Sequence, residues 1–319
     1  MSPKPKLSMF WASSCGGCEI ALVNLHERIL EVCEAFDFFF CPCLLDTKKR
    51  DVEALPDRGI AITLCNGAIR TAENEEMARL LRAKSEILLA FGSCAHAGCI
   101  PALSNLSTRD EHFRTLFGEN VPQLRTTVPE GVLELPEFFS TVKTLAQVVE
   151  VDYFIPGCPP EPHQIWNVLE SMIQGRPLPP RGSVLGGGRS SVCDECTRTK
   201  SEKKIARFHR TFEIVPDAAR CLLEQGIVCM GIATRNGCGA LCPKVNSPCT
   251  GCYGAPEGVA DQGAKMLAAL GSVLDVGEYK GLSEAGLAER TDAALAGLAD
   301  PAGTFYKYSL AGSILGGRR

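Results

Sequence analysis

Seventeen cysteines in 319 residues are the side chains of this chain best suited to chemistry, and their spacing says which kind. A reducing compartment disfavours disulfides, which leaves metal or cluster ligation as the economical use of so many thiols. A single buried cysteine is an ordinary small hydrophobe, so the signal lies in pairs at two-residue gaps. Cys15 and Cys18 flank Gly16 and Gly17. These glycines let the backbone bend closely, and a helix that follows them offers its N-terminus to an anionic group. Cys94 stands in Gly92-Ser93-Cys94, and Cys158 in Pro156-Gly157-Cys158-Pro159-Pro160. Eight more cysteines fall between Cys193 and Cys252. Cys193 and Cys196 make one pair, to which Cys221 and Cys229 can add two sulfurs. Cys238, Cys242, Cys249 and Cys252 form a denser set, with Gly237, Gly239, Gly251 and Gly254 for tight turns and Pro243 and Pro248 to stiffen the loops. Four thiolates suit a 4Fe-4S cluster. A structural zinc site more usually draws its ligands from one compact local loop, which Cys15, Cys18, Cys94 and Cys158 do not form. Each carboxyl-terminal set is also compatible with zinc, and the division of its eight cysteines into two sites stays open.

These residues need elements to position them. Short apolar runs at 6–12, 36–40, 60–64, 87–91 and 152–155 read as strands. Helical spacing links Met77, Leu80 and Leu81; Phe138, Val142, Leu145 and Val149; and Ile165, Val168, Leu169, Met172 and Ile173. The alternation predicts an α/β fold, a doubly wound parallel sheet of the flavodoxin-like kind. Strand carboxyl ends converge on one edge of such a sheet, so the four sulfurs of Cys15, Cys18, Cys94 and Cys158 can meet there. Cys41, Cys43 and Cys65 also follow strands, and Cys99 is close to Cys94. With Cys33 inside a helix, they read as packed thiols rather than ligands. The Pro- and Gly-rich stretch 175–191 cannot continue a helix or hold a central strand, and reads as a linker. It separates a flavodoxin-like domain, 1–180, from a carboxyl-terminal domain, 181–319. The latter is irregular and cysteine-rich, so metal centres are expected to replace a conventional core. Residues 260–270 look helical, and the tail beyond carries no motif.

At 45% hydrophobic and 22% charged, the chain can bury one large core and a smaller second one. A net charge of −4 and a pI near 5.8 leave no basic footprint for nucleic acid. No run approaches the roughly 18 apolar residues of a spanning helix. The first ten residues lack a signal peptide's apolar core and a twin arginine, which predicts a cytoplasmic protein. The charged stretch 198–210, with Lys200, Lys203, Lys204 and Arg207, reads as a solvated helix face, or else as a docking surface for an acidic redox partner. Glu19, His96, Glu161 and His163 read as capping or surface residues, or else as groups that relay protons or tune a cluster.

Taken together, Cys15-Gly16-Gly17-Cys18-Glu19, Gly92-Ser93-Cys94-Ala95, Pro156-Gly157-Cys158-Pro159-Pro160 and the cysteine-rich carboxyl domain resemble the small subunit of nickel-iron hydrogenases. The best match is the methyl-viologen-reducing, F420-non-reducing branch (group 3). The resemblance covers residues 1 to about 255 and rests on the order and combination of motifs. It implies three 4Fe-4S clusters: a proximal one on Cys15, Cys18, Cys94 and Cys158, a medial one on Cys238, Cys242, Cys249 and Cys252, and a distal one on Cys193, Cys196, Cys221 and Cys229. It further implies a nickel-iron centre in a large partner subunit, since this chain lacks the paired cysteines that a catalytic subunit carries near both termini. The acceptor it suggests is an iron-sulfur or flavin protein, of the heterodisulfide-reductase type. Membrane-bound and periplasmic relatives carry a histidine where this chain has Cys193. Thiolate in place of imidazole lowers a cluster's potential, which favours low-potential acceptors. Two other readings stand beside it. One is the 20-kilodalton cluster subunit of respiratory complex I, which resembles only the first part of the chain and carries adjacent cysteines. The other is a zinc-stabilised interaction protein without electron transfer.

Overall fold

Apolar runs that must be covered on both faces become the central strands. The computed structural model describes residues 3–118, 135–201, 204–275 and 281–316; Lys203 of the charged stretch lies outside these. It comprises two units, Met1–Gly186 together with Tyr308–Arg319, and Gly187–Lys307.

The first unit runs β1 (Lys6–Trp11), α1 (Gly17–Val23), α2 (Arg28–Ala35), β2 (Asp37–Phe40), α3 (Lys49–Glu53), β3 (Ile60–Asn66), β4 (Ile69–Thr71) and α4 (Ala72–Lys84). It continues with β5 (Ser85–Phe91), α5 (Gly92–Ala97), α6 (Arg109–Phe117), β6 (Phe138–Lys143), β7 (Tyr153–Ile155) and α7 (Pro162–Ile173). Five strands form a sheet in the order β2-β1-β3-β5-β7, parallel throughout. This is the order of a flavodoxin-like doubly wound sheet. Alternate residues serve opposite faces: Leu7, Met9, Leu64 and Phe91 pack with Leu22, Val32, Ile165 and Leu169, while Phe10, Cys65, Leu88 and Ala90 pack with Met77, Ala78 and Leu81. Register matters most at the carboxyl edge. Trp11 lies opposite Asn66, Asn66 opposite Phe91, and Phe91 opposite Ile155. Four neighbouring strands therefore end at one level, and the loops that carry the cysteines start there.

Asp152 secures the last of these strands. Its fully buried carboxylate accepts from the Leu88 backbone N–H (2.8 Å) and from Arg82 (2.6 Å), and Arg181 Nη1 stands 2.5 Å from its other oxygen. A buried carboxylate requires such partners, and here they tie the start of β7 to β5.

Two expectations are corrected in this unit. The helix expected over Phe138, Val142, Leu145 and Val149 is instead β6, antiparallel to β4, followed by a short 3-10 turn at Leu145–Gln147. The segment Phe-Phe-Ser-Thr-Val is rich in aromatic and β-branched residues, and in so short a window apolar spacing does not separate the two periods. Phe138 is fixed from both sides, by the Arg70 guanidinium 4.4 Å from its ring and by Phe113 at 5.3 Å. The tail Tyr308–Arg319, read with the second domain, is grouped with the first unit. It is held mainly through its backbone: Gln147 donates to the Ala311 carbonyl (2.9 Å) and Asn105 to that of Gly316 (3.1 Å), over buried Leu310 and Ala311. Backbone anchoring of this kind leaves no sequence period to read.

The second unit contains α8 (Val192–Glu195), α9 (Leu241–Lys244), α10 (Gln262–Val273), α11 (Glu284–Leu295) and α12 (Pro301–Phe305), with isolated bridges in place of a sheet among its described residues. The helix expected at 260–270 is α10, whose N-cap Asp261 accepts from the Ala264 N–H at 2.9 Å. Phe208, Tyr253, Met266, Leu270 and Phe305 are buried in this unit. The described part of 198–210 is not a helix: it makes bridges at Thr199, Ile205 and His209, and Arg198 is buried. No helix among the described residues is long and apolar enough to cross a membrane.

Candidate functional site

The turn between β1 and α1 sets the first pair of thiols. Gly16 adopts φ +79°, and the Trp11 ring lies where a Cβ on Gly16 would sit (2.9 Å). The Asn66 side chain, at the end of β3, donates to both oxygens of Glu19 (2.8 Å each) and to Ser14 Oγ (3.1 Å), which fastens the turn to the sheet edge. Glu19 is thus a structural acceptor here. Cys15 is exposed and Cys18 buried. The turns after β5 and β7 are joined to each other: the Ser93 N–H donates to the Gly157 carbonyl (2.8 Å), and the Gly157 N–H donates to Ser93 Oγ (3.2 Å). Gly92, at φ +83°, comes so close to the first turn that a Cβ on it would lie 2.4 Å from Cys18 Sγ. Burial pushes the Cys18 thiol far above its usual range, and the negative charges of Cys94, Glu19, Cys158 and Cys15 push it further. Cys18 therefore lies within electrostatic reach of the other three sulfurs expected at this edge.

In the second unit Cys193 lies in α8 and Cys196 directly after it. Cys193, Cys196, Cys221 and Cys229 line one small cavity together with Arg198 and Pro243. A Cβ on Gly231 would touch Cys193 Sγ at 3.2 Å and lie 3.8 Å from Cys229 Sγ. The Cys193 thiol is pushed up to about 12 by burial and by Cys229, Cys221 and Cys196, against the opposing charge of Lys200. In the denser set, burial raises Cys238 and Cys249; Cys242 adds to the first and Cys252 to the second. The two sets adjoin, because the Cys249 N–H donates to Cys229 Sγ at 3.3 Å. Backbone donors are aimed at three sulfurs of this unit. Gly231 and Cys249 donate to Cys229, Ala240 and Leu241 to Cys238, and Gly251 to Cys249.

Several residues of this region were invisible as site components in the sequence. Glu195 accepts from the N–H groups of Gly237 (2.8 Å) and Gly239 (2.9 Å) and so holds the loop that carries Cys238. Arg198 spreads its guanidinium over the carbonyls of Pro243 (3.0 and 2.9 Å), Asp217 (2.9 Å) and Arg220 (2.9 Å) and over Asn246 Oδ1 (2.6 Å). The Ser/Asp/Glu capping pattern at 191–195 was the one available signal for Glu195; for Arg198 there was none. Of the cysteines read as packed thiols, Cys65 fits, since burial alone pushes it up to about 12. Cys33 is exposed. Cys41 and Cys43 neighbour each other after β2; Cys41 is buried, which raises its thiol, whereas Cys43 is exposed and, like Cys33, departs from the packed reading. Cys99 differs from the rest, with its Sγ 3.7 Å from that of Cys158.

The donor sets fit iron-sulfur ligation in three respects: they are all thiol, backbone N–H groups point at sulfur, and Gly92 keeps clear the space beside Cys18. Among the described residues no three His, Cys, Asp or Glu side chains come close enough to hold one metal ion. A four-iron cluster gives each thiolate its own iron and so spaces the sulfurs more widely than a single zinc does.

Comparison with known proteins agrees with this chemistry. Residues 15–172 match the family described as the 20 Kd subunit of NADH ubiquinone oxidoreductase. The recombinant NiFeSe hydrogenase of Desulfovibrio Vulgaris Hildenborough shares the fold, with a TM-score of 0.51 at 17% identity over 79% of this chain and 94% of that one. A subunit of the F420-non-reducing hydrogenase of Methanothermobacter marburgensis is 34% identical over 99% of this chain and 97% of its own length. The iron-sulfur subunit of the F420-non-reducing hydrogenase of Archaeoglobus profundus is 38% identical over 84% of this chain and 88% of its own. With the cysteines gathered at the carboxyl edge of a doubly wound sheet and in a loop-rich second unit, these likenesses place the chain in the family of F420-non-reducing hydrogenase iron-sulfur subunits, as a hydrogenase subunit of the small, electron-transferring kind.

Proposed function

We propose that this chain is the cytoplasmic electron wire of a group 3 nickel-iron hydrogenase of the methyl-viologen-reducing type. In this reading Cys15, Cys18, Cys94 and Cys158 hold a proximal 4Fe-4S cluster, Cys238, Cys242, Cys249 and Cys252 a medial one, and Cys193, Cys196, Cys221 and Cys229 a distal one. The observation that supports it is that Cys18 lies within electrostatic reach of Cys15, Cys94 and Cys158, on turns that follow strands far apart in sequence. The clusters supply one-electron chemistry when bound. The protein's own part is to fix the sulfurs, keep water from buried Cys18, Cys94 and Cys249, and direct backbone N–H groups at Cys229, Cys238 and Cys249. Around exposed Cys15, the side chains of Trp11, Ile20 and Val23 are also exposed. They form an apolar face suited to the large subunit, which would hold the nickel-iron centre. Twelve thiolates and no histidine favour a low-potential iron-sulfur or flavin acceptor, of heterodisulfide-reductase type.

The test is iron and acid-labile sulfide content of the anaerobically purified complex, with electron paramagnetic resonance before and after hydrogen. About twelve irons per chain, as three four-iron clusters require, and signals that develop under hydrogen are expected. Stoichiometric zinc with little iron would overturn the reading. Iron signals indifferent to hydrogen would favour the second reading, a complex I-like cluster subunit, to which the match over residues 15–172 lends support.

A further inference from the structure

The proximal site contains one thiol more than a four-iron cluster uses. Cys99 is only 1% exposed, and its Sγ stands 3.7 Å from Cys158 Sγ and within hydrogen-bonding reach of Cys94. A ligating sulfur has given up its proton and can only accept. A fifth thiol beside two such sulfurs is therefore the donor. On the proposed reading of Cys15, Cys18, Cys94 and Cys158 as ligands, we propose that Cys99 is a positioning residue that donates its S–H to the sulfur of Cys158 and thereby raises the potential at which the proximal cluster accepts an electron. No bond forms or breaks at Cys99: its thiol keeps its proton, and a bound cluster would supply the one-electron chemistry, with the electron coming from the hydrogen-oxidising partner.

The local backbone supports a thiol that is held on purpose. Cys99 has φ +50° and ψ −151°, a combination at home in glycine and strained for any side chain. Its neighbours leave little room for it to relax. A Cβ on Gly98, at φ +89°, would meet Ala311 at 2.5 Å and Ala102 at 2.8 Å, and the Ala102 N–H donates to the carbonyls of Cys99 (3.0 Å) and Gly98 (3.2 Å). Glycine at position 99 would remove the strain, and instead a side chain is held there with its sulfur against Cys158. A hydrogen bond to a cluster sulfur stabilises the reduced, more negative state more than the oxidised one, so its loss lowers the potential.

The experiment compares wild type, Cys99→Gly, Cys99→Ala and Cys99→Ser in the intact complex, by iron content and by redox titration followed with electron paramagnetic resonance. Cys99→Gly suits the backbone and guards against a misfolded Cys99→Ala. The expected result is unchanged iron and one cluster midpoint lowered by up to about tenfold in its reduction equilibrium, about 59 mV for one electron. Cys99→Ser, which retains a donor, should recover part of that shift. Midpoints that all coincide with wild type would overturn the proposal, and so would loss of about four irons from Cys99→Gly, since Cys99 would then be a ligand. An iron-free wild-type complex would overturn the cluster reading itself, and this inference with it.

Discussion

Replacing Gly92 with alanine separates a site at the sheet edge from a generic turn. The new Cβ would lie 2.4 Å from Cys18 Sγ, against an ordinary contact of about 3.5–4.0 Å, so the sulfur must retreat by more than about 1 Å. Two costs add. An L-residue at φ +83° costs about 1–2 kcal/mol in backbone conformation. Driving Cys18 from its rotamer costs about 0.5–1.5 kcal/mol more. The sum, about 1.5–3.5 kcal/mol, weakens retention of a cluster at this site by about 10- to 300-fold. Gly182→Ala is the control, because Gly182 has a similar φ of +87° but no atom within 4 Å of the added methyl. It bears the backbone cost alone. Iron and sulfide analysis of the purified complex should show Gly92→Ala short of about four irons per chain, with its other cluster signals intact and Gly182→Ala at the wild-type value. Full iron in Gly92→Ala, or an equal loss in Gly182→Ala, would refute the idea that this glycine exists to clear a ligand.

Arg198→Met keeps the bulk of the side chain but strands the carbonyls of Pro243, Asp217 and Arg220, each of which loses a charged donor. With about 1–3 kcal/mol for each acceptor left unpaired, a loss of at least about 3 kcal/mol is expected in urea denaturation, and an unchanged midpoint would show that these carbonyls find water instead. Cys65 gives a pH dependence of known sign. Its folded value near 12 lies above the ordinary 9.0, so the neutral thiol's contribution is complete below about pH 9 and is lost as pH rises toward 12. Cys65→Ala should therefore flatten the fall in stability between about pH 9 and 11, and an identical slope in the two proteins would rule this out. At pH 8 about one Cys65 thiol in 10,000 is ionised, so iodoacetamide should label exposed Cys33 and Cys43 and spare Cys65.

What was legible in the sequence follows from how each part is held. The runs around Leu7, Leu64 and Leu89 are apolar on both faces because helices cover both sides of the sheet, and a continuous apolar run is readable. From parallel strands alone it followed that Cys15, Cys18, Cys94 and Cys158 share one edge. Other features depend on direction rather than composition. Arg198 lies in a charged stretch that reads as solvated, yet it points inward, because carbonyls of α9 and of the 217–220 loop converge on it. Cys99 follows Cys94 by five residues, a separation that says nothing until Cys99 takes up its positive φ and turns its sulfur toward Cys158. The segment after Phe138 has both a helical and an extended reading, and only pairing with β4 decides between them.

On the three-cluster reading, the two units bring four sulfurs to one place by different physics. In the first, Trp11, Asn66, Phe91 and Ile155 end in register, so the positions of the cysteines beyond them are consequences of a packed core that exists for its own sake. The closure cost of bringing Cys15 to Cys158 is met by apolar burial along the whole sheet, and grows only slowly with the length of chain between them. In the second, Cys193, Cys196, Cys221, Cys229 and Cys238 sit on short helices and loops, and the groups that organise these segments are polar: Glu195 on two N–H groups beside Cys238, Arg198 on three carbonyls, and backbone N–H groups on sulfur. An N–H directed at a thiol gains little from it, whereas directed at a metal-bound thiolate it makes a charge-assisted hydrogen bond. On the three-cluster reading, ligation therefore contributes to the folding free energy of the second unit and draws on that of the first. The proximal site is then one that the fold prepares for its cluster, and the other two are sites that their clusters help to fold.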